Sequence, residues 1–176
     1  MTFSIADRQV YVSDGIMTPE KAKSKTFLGR FVNLPGGSVI GSGIETSANG
    51  KVVIPKATCR YDAMNGISFE FRGGKMQDFK AAQNGKCFVE SMAPYDGPKD
   101  VFSSFSIGLN PALKVVEEGG ATYRPSSGAG VVFIGIGDNQ LLGGANKTQA
   151  SWNFPVVNGT VTVDGRVIVK DGHIVM

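Results

Sequence analysis

Side chains able to do chemistry are few in this chain, and their spacing is poor for it. The only histidine, His173, follows Asp171-Gly172 near the end of the sequence and reads as an exposed turn residue. A Ser–His or Cys–His mechanism needs a general base that is itself oriented by a third group, so it would rest on that residue alone. Zinc usually takes three protein ligands from His, Cys, Asp or Glu. No pair of His or Cys stands at ligand spacing, and Cys59 and Cys87 are far apart. The acids Glu45, Asp62, Asp78, Asp96, Asp100 and Asp138 are scattered, and only Glu117-Glu118 are adjacent. Asp138 follows a buried-looking strand and reads as a turn acid. Glu45 is the one acid of a glycine-rich segment and reads as capping a turn.

Two glycine pairs, Gly128-Ala-Gly130 and Gly135-Ile-Gly137, invite a dinucleotide reading. That site needs a strand, G-x-G-x-x-G, and a helix opening on the third glycine. Strand residues follow Gly130, and Asp138-Asn139 follows Gly137, so the pattern fails. No phosphate-loop motif is present. Trp152, the only tryptophan, lies between Ser151 and Asn153 in what reads as a polar loop, where it suits a core or interface anchor.

The elements that must position these residues are mostly strands. Val10–Val12, Lys51–Ile54, Ile67–Arg72, Val131–Ile136, Thr160–Val163 and Val167–Val169 are β-branched or alternating and bounded by Gly, Asn or Asp. Ile67, Phe69 and Phe71 alternate with Ser68, Glu70 and Arg72, the period of a half-exposed strand. Asn49-Gly50, Asn65-Gly66, Asn158-Gly159, Asp164-Gly165 and Asp171-Gly172 signal turns with positive φ, and the stretch from Asn158 to Val175 predicts a small meander. Helices are predicted over about 19–25, after Thr18-Pro19; over 76–84, ending at Asn84-Gly85; and over 111–118, stopping at Gly119-Gly120. Strands and short helices without a βαβ rhythm predict an α+β fold with a mixed or antiparallel sheet.

The 176 residues suit one domain, with an N-terminal strand and short helix over 1–30 and a core over 31–176. Hydrophobic residues are 41% and charged residues 19%, ordinary for a soluble globular chain. The net charge of +3 is small, and Lys21, Lys23 and Lys25, the only basic cluster, read as a solvated helix face rather than a nucleic-acid contact. No apolar run approaches the ~20 residues of a membrane span, and no secretory signal is visible. Two free, buried thiols in a reducing cytoplasm are therefore expected.

Three further stretches carry a resemblance: Asn33-Leu-Pro-Gly-Gly-Ser38 with Glu45-Thr-Ser-Ala-Asn-Gly50; Ile107-Gly-Leu-Asn-Pro111; and Phe133-Ile-Gly-Ile-Gly-Asp-Asn139 with Gly143-Gly-Ala-Asn146 and Ser151-Trp-Asn153. In order and spacing they resemble the metal-binding C-terminal half of the thermophilic-type aminopeptidases, the M29 metallopeptidases, over about residues 27–176. The frame is also similar to that of the 2,5-dihydroxypyridine dioxygenases, which use iron on a related scaffold. The resemblance implies metal-ligand Glu at Ser38 and Ser104, His at Phe133, Tyr at Gln140, and a closing His-x-Asp at Ser151-Trp152-Asn153. Serine hydroxyls and an Asn amide do not replace anionic or imidazole donors, and Phe133 is no donor. It also implies an N-terminal domain walling the cleft, without which the pocket loses the desolvation that hydrolysis uses.

These observations predict a domain without metal or other cofactor, whose role is binding or assembly, as a homodimer or beside a partner subunit, with no nucleic-acid or membrane partner. An alternative is metal-independent chemistry, cyclase- or isomerase-like, or small-molecule binding. A polar pocket of Ser38, Ser104, Gln140, Ser151 and Asn153 near Tyr123, Arg124 and Trp152 would orient a small organic ligand. A further alternative is a small subunit of a larger catalytic homologue.

Overall fold

A computed structural model describes residues 1–114, 116–118, 121–123 and 125–175, with the side chains of 117–118 and 121–123 left aside. In chain order its strands are β1 Val10–Ser13, β2 Ser38–Ser42, β3 Gly50–Cys59, β4 Asp62–Arg72, β5 Lys75–Lys80, β6 Phe102–Gly108, β7 Val116–Glu118, β8 Ala121–Tyr123, β9 Val132–Gly137, β10 Ser151–Val156, β11 Val161–Val163, β12 Arg166–Lys170 and β13 His173–Ile174. The α-helices are α1, Pro19–Ala22, and α2, Gly85–Met92. The largest sheet has the order β1-β2-β6-β9-β10, the second β3-β4-β5 and the third β11-β12-β13, while β7 and β8 form a pair. The strand pairings are antiparallel. This is the α+β fold expected.

The core lies between the two larger sheets. Ile54, Ile67, Phe69 and Phe71 project from β3 and β4; Phe102, Ile136 and Phe154 meet them from the five-stranded sheet, all buried. Rings bridge the layers directly: Phe69 and Phe154 have centroids 4.8 Å apart, and Phe71 and Phe102 lie edge to face at 5.7 Å. Burying each such ring contributes about 2 kcal/mol. The alternation over Ile67–Arg72 holds, with Ile67, Phe69 and Phe71 buried. The C-terminal meander also forms, with Asp164-Gly165 and Asp171-Gly172 both at positive φ, as a primed turn demands.

Two predicted helices do not form as such. Residues 75–80 are strand β5, because Gly73 and Gly74, at φ 56° and 83°, turn the chain back along β4 and pair Phe71 with Met76. The helix α2 begins only at Gly85, and Asn84, in the left-handed region at φ 57°, precedes the helix rather than ending one. The 111–118 helix is replaced by a turn after Asn110, whose Oδ1 accepts the Ala112 N–H at 3.0 Å, and by strand β7. The N-terminal helix forms but is shorter than predicted, with Thr18 Oγ1 accepting the Lys21 N–H.

Cys59 and Cys87 are joined in a disulfide. The expected free thiols are thereby overturned, and with them the thiol-based argument for a reducing cytoplasm. The end of β3 and the first turn of α2 bring the two sulfurs together, a proximity the 28-residue separation does not disclose. Among the described residues, no helix is long and apolar enough to cross a membrane.

Candidate functional site

In an antiparallel sheet, residues directly opposite one another point to the same face. One rung of the five-stranded sheet runs Ser42–Ser104–Gly135–Asn153 across β2, β6, β9 and β10. The next runs Ile40–Ser106–Phe133–Pro155, and the flanking pairs are Ser38–Gly108 and Gly137–Ser151. Five of the predicted positions, Ser38, Ser104, Phe133, Ser151 and Asn153, therefore share one face, the face turned away from the core.

That face is shaped by what Gly135 lacks. A Cβ there would lie 2.2 Å from Ser104 Oγ, 2.8 Å from Asn153 Oδ1 and 2.9 Å from Ser103 Oγ, so three polar atoms converge over a bare backbone position. Ser103 joins them because β6 shifts register between Phe102 and Ser104. Ser38, Ser103, Ser104 and Ser106 are buried, Phe133 is half-buried, and Ser151 and Asn153 are exposed. The result is a notch with a hydroxyl floor, an amide at its rim and an opening to solvent.

Gln140 goes elsewhere. It is exposed and lines a separate open hollow of about 490 Å³ with Tyr95, Asp96, Lys147 and Thr148. Trp152 is a strand residue, not a loop residue. It sits on the opposite face of β10 and packs edge-on against Phe88 at 5.1 Å, as a core anchor. Arg124 lies outside the described residues, and the side chain of Tyr123 does too.

Glu45 does more than cap a turn. It is buried, its Oε2 accepts from Arg8 Nη2 at 2.7 Å, and its Oε1 accepts from the Ala145 N–H at 2.7 Å and Asn139 Nδ2 at 2.8 Å. Burial alone would raise its pKa. The Ala145 N–H, its own N–H, Asn139 and the Arg8 charge outweigh that and hold the carboxyl below the usual glutamate range. Asn139 Nδ2 also reaches Ser42 Oγ at 3.0 Å and the Ser103 carbonyl at 3.1 Å, which places this network beside the notch, at the Ser42 end of the same rung. Asn139 Oδ1 accepts the Asn146 N–H, and Asn146 Nδ2 donates to the carbonyls of Phe102 and Gly137. Asp138 is a turn acid, accepting the Gln140 and Thr148 N–H groups at 3.3 Å. Sequence reasoning missed Asn139, Asn146, Ser42 and Ser103 as a unit. Asn139 and Asn146 stand in the quoted motifs, so the signal was the motif itself rather than the positions of lost ligands.

A metal does not fit this face. Its side-chain donors are neutral hydroxyls and one amide, and among the described residues no three His, Cys, Asp or Glu side chains gather. His173 is in β13, with Nδ1 against the Asp171 carbonyl at 3.0 Å.

The family model NicX, 2,5-dihydroxypyridine 5,6-dioxygenase, matches residues 24–176. No curated protein sequence matches. The solved structure of 2,5-dihydroxypyridine dioxygenase from Pseudomonas putida KT2440 superposes with a TM-score of 0.61 at 19% identity, covering 78% of this chain and 43% of that one. At that identity the likeness shows a shared fold, and the chain spans less than half the length of the related enzyme. Of the two resemblances drawn from the motifs, the comparisons show the dioxygenase one.

Proposed function

The chain belongs to the NicX, 2,5-dihydroxypyridine 5,6-dioxygenase family, and from that premise we propose that it is a non-catalytic, metal-free member whose notched sheet face binds another surface. The observation that carries this is the Ser104–Gly135–Asn153 rung, whose side chains are a neutral hydroxyl and an amide; the motif resemblance would put charged metal donors at Ser104 and Asn153. The occupant is a second copy of the chain or a larger homologue, the latter making this chain a small subunit. Either supplies peptide groups that match hydroxyls and amides, and either closes the open rim at Ser151 and Asn153. The aminopeptidase relationship stays within this proposal, as a shared frame from which the ligands are gone.

Metal analysis of the purified protein, after incubation with iron(II), manganese(II) and zinc(II), is expected to find no stoichiometric ion; one tightly held ion per chain refutes the proposal. Sedimentation and pull-down with Asn153→Arg are expected to weaken the complex, and an unchanged complex argues against this face.

A second reading is favoured by the convergence of Ser103, Ser104 and Asn153 over Gly135: the notch orients a small, neutral organic ligand. Cyclase- or isomerase-like turnover there lacks a carboxylate or imidazole at the notch to move a proton, so binding is the stronger form of this reading.

A further inference from the structure

We propose that the Cys59–Cys87 disulfide is a reversible modification site, reduced by a dithiol, that clamps α2 against Trp152 and thereby holds the strand carrying Ser151 and Asn153. These are the only two cysteines of the chain, and they are paired with each other. Cys59 is fully buried at the end of β3, whereas Cys87 is half-buried in the first turn of α2. One sulfur is therefore sheltered and the other approachable.

Apart from the disulfide, the helix is anchored by two buried side chains, Phe88 and Met92. It has eight residues, too few to be stable alone. The Lys86–Glu90 ion pair is exposed and of small effect. At its start, Asn84 Nδ2 is buried without a hydrogen-bond partner among the described residues, a local cost at this end of the helix. Phe88 in turn touches Phe79, Trp152 and Phe154, with centroids at 4.5, 5.1 and 5.4 Å. β10 is an edge strand of the main sheet, and on the core side this aromatic contact supports it together with Phe154 against Phe69.

The exchange balances simply. A thiolate of the dithiol attacks Cys87 Sγ, the S–S bond breaks, and Cys59 leaves as a thiolate that takes a proton from solvent. The second thiol of the reductant then attacks the mixed disulfide and frees Cys87. Two electrons pass to the protein, and the reductant ends as a disulfide. Opening a cross-link across 28 positions returns conformational freedom worth roughly 10²–10³-fold in the unfolded chain, and α2 is the element released.

The test compares the full-length protein oxidised with oxidised glutathione and the same protein reduced with dithiothreitol. Amide exchange at α2 is expected to rise at least ~10-fold on reduction while β6 and β9 keep their protection. Fluorescence of Trp152, the single tryptophan, should shift to the red as Phe88 moves away. Re-oxidation should restore both, and Cys87→Ser should reproduce the reduced behaviour and ignore dithiothreitol. Two alkylatable thiols persisting after oxidised glutathione overturn the proposal. So does unchanged exchange at α2, or protection lost equally across β6 and β9.

Discussion

Replacing Asn139 by alanine tests whether the network beside the notch holds the fold. The side chain is 2% exposed; its Nδ2 donates to Ser42 Oγ, Glu45 Oε1 and the Ser103 carbonyl, and its Oδ1 accepts the Asn146 N–H. Asn139→Ala strips these partners from the Ser103 carbonyl and the Asn146 N–H and removes a donor from a buried carboxylate. Each orphaned buried group costs about 1–3 kcal/mol, so a loss of ~3–5 kcal/mol is expected. That is a large share of the ~5–15 kcal/mol typical of a domain. Asn139→Asp separates hydrogen bonding from shape. It keeps the outline and the acceptor but sets a second carboxylate oxygen where Nδ2 now lies, 2.8 Å from Glu45 Oε1. It should be at least as damaging at pH 7 and recover in part as the pH falls and one carboxyl protonates. The assay is urea unfolding followed by circular dichroism, with midpoints compared at constant m. A loss below ~1 kcal/mol for the alanine variant refutes the reasoning, because it would mean the orphaned groups find water or other partners at no cost.

Three other outcomes follow from the same geometry. Glu45 has its folded pKa depressed, so its contribution is present above the unfolded value of about 4.3 and is lost as pH falls through the lower folded value; Glu45→Gln should flatten the acid limb of a Tm-versus-pH curve, and an unchanged limb contradicts this. Gly135→Ala places a methyl 2.2 Å from Ser104 Oγ and is expected to cost ~1–3 kcal/mol by overpacking while abolishing binding at the notch, read by pull-down against the wild-type chain. Phe154→Ala removes a ring 4.8 Å from Phe69 and 5.4 Å from Phe88 and should cost ~3–5 kcal/mol in thermal or urea unfolding; a loss under ~1 kcal/mol would show that the layers are not joined there.

The strands that were legible were those built as strands usually are. Val52, Ile54, Ile67, Phe69 and Val169 are β-branched or aromatic at alternate positions, and each is buried. Of the strands that carry the notch, β9 was legible as a strand and β2, β6 and β10 were not. β2 is Ser-Val-Ile-Gly-Ser, β6 contains three serines, and β10 holds Ser, Asn and Pro. Such residues are depleted in strands and enriched in turns, so local propensity points the wrong way. Sheet pairing overrides it, because β2 and β6 are held between neighbours on both sides. Residues 76–80 failed for the opposite reason: Met-Gln-Asp-Phe-Lys reads as helix locally, and only the Gly73-Gly74 turn returns it to β4. The site positions were legible through their motif frame, and five of six fall on one face. Gln140 does not, since a 3₁₀ turn over Gln140–Leu142 carries it off the sheet. The disulfide was not legible at all, because nothing local in the sequence brings β3 to α2.

The polar network also dictates an order of events in folding. Arg8 Nη1 donates to the Gly143 carbonyl across 135 positions, Asn139 reaches Glu45 across 94, and the Ala145 N–H reaches Glu45 across 100. The β3–β4–β5 hairpins close through near neighbours and need no more than their own segment. On a ribosome, those hairpins can pair early, whereas Arg8 and Glu45 leave first and wait for Asn139 and Ala145. Loop closure over such distances precedes the contacts that compensate for it, which places this domain among the slow folders, on the order of milliseconds to seconds. During that interval β2 can pair with β1, but β6 waits along one edge for β9, and the main sheet is completed only when β9 and β10 join it.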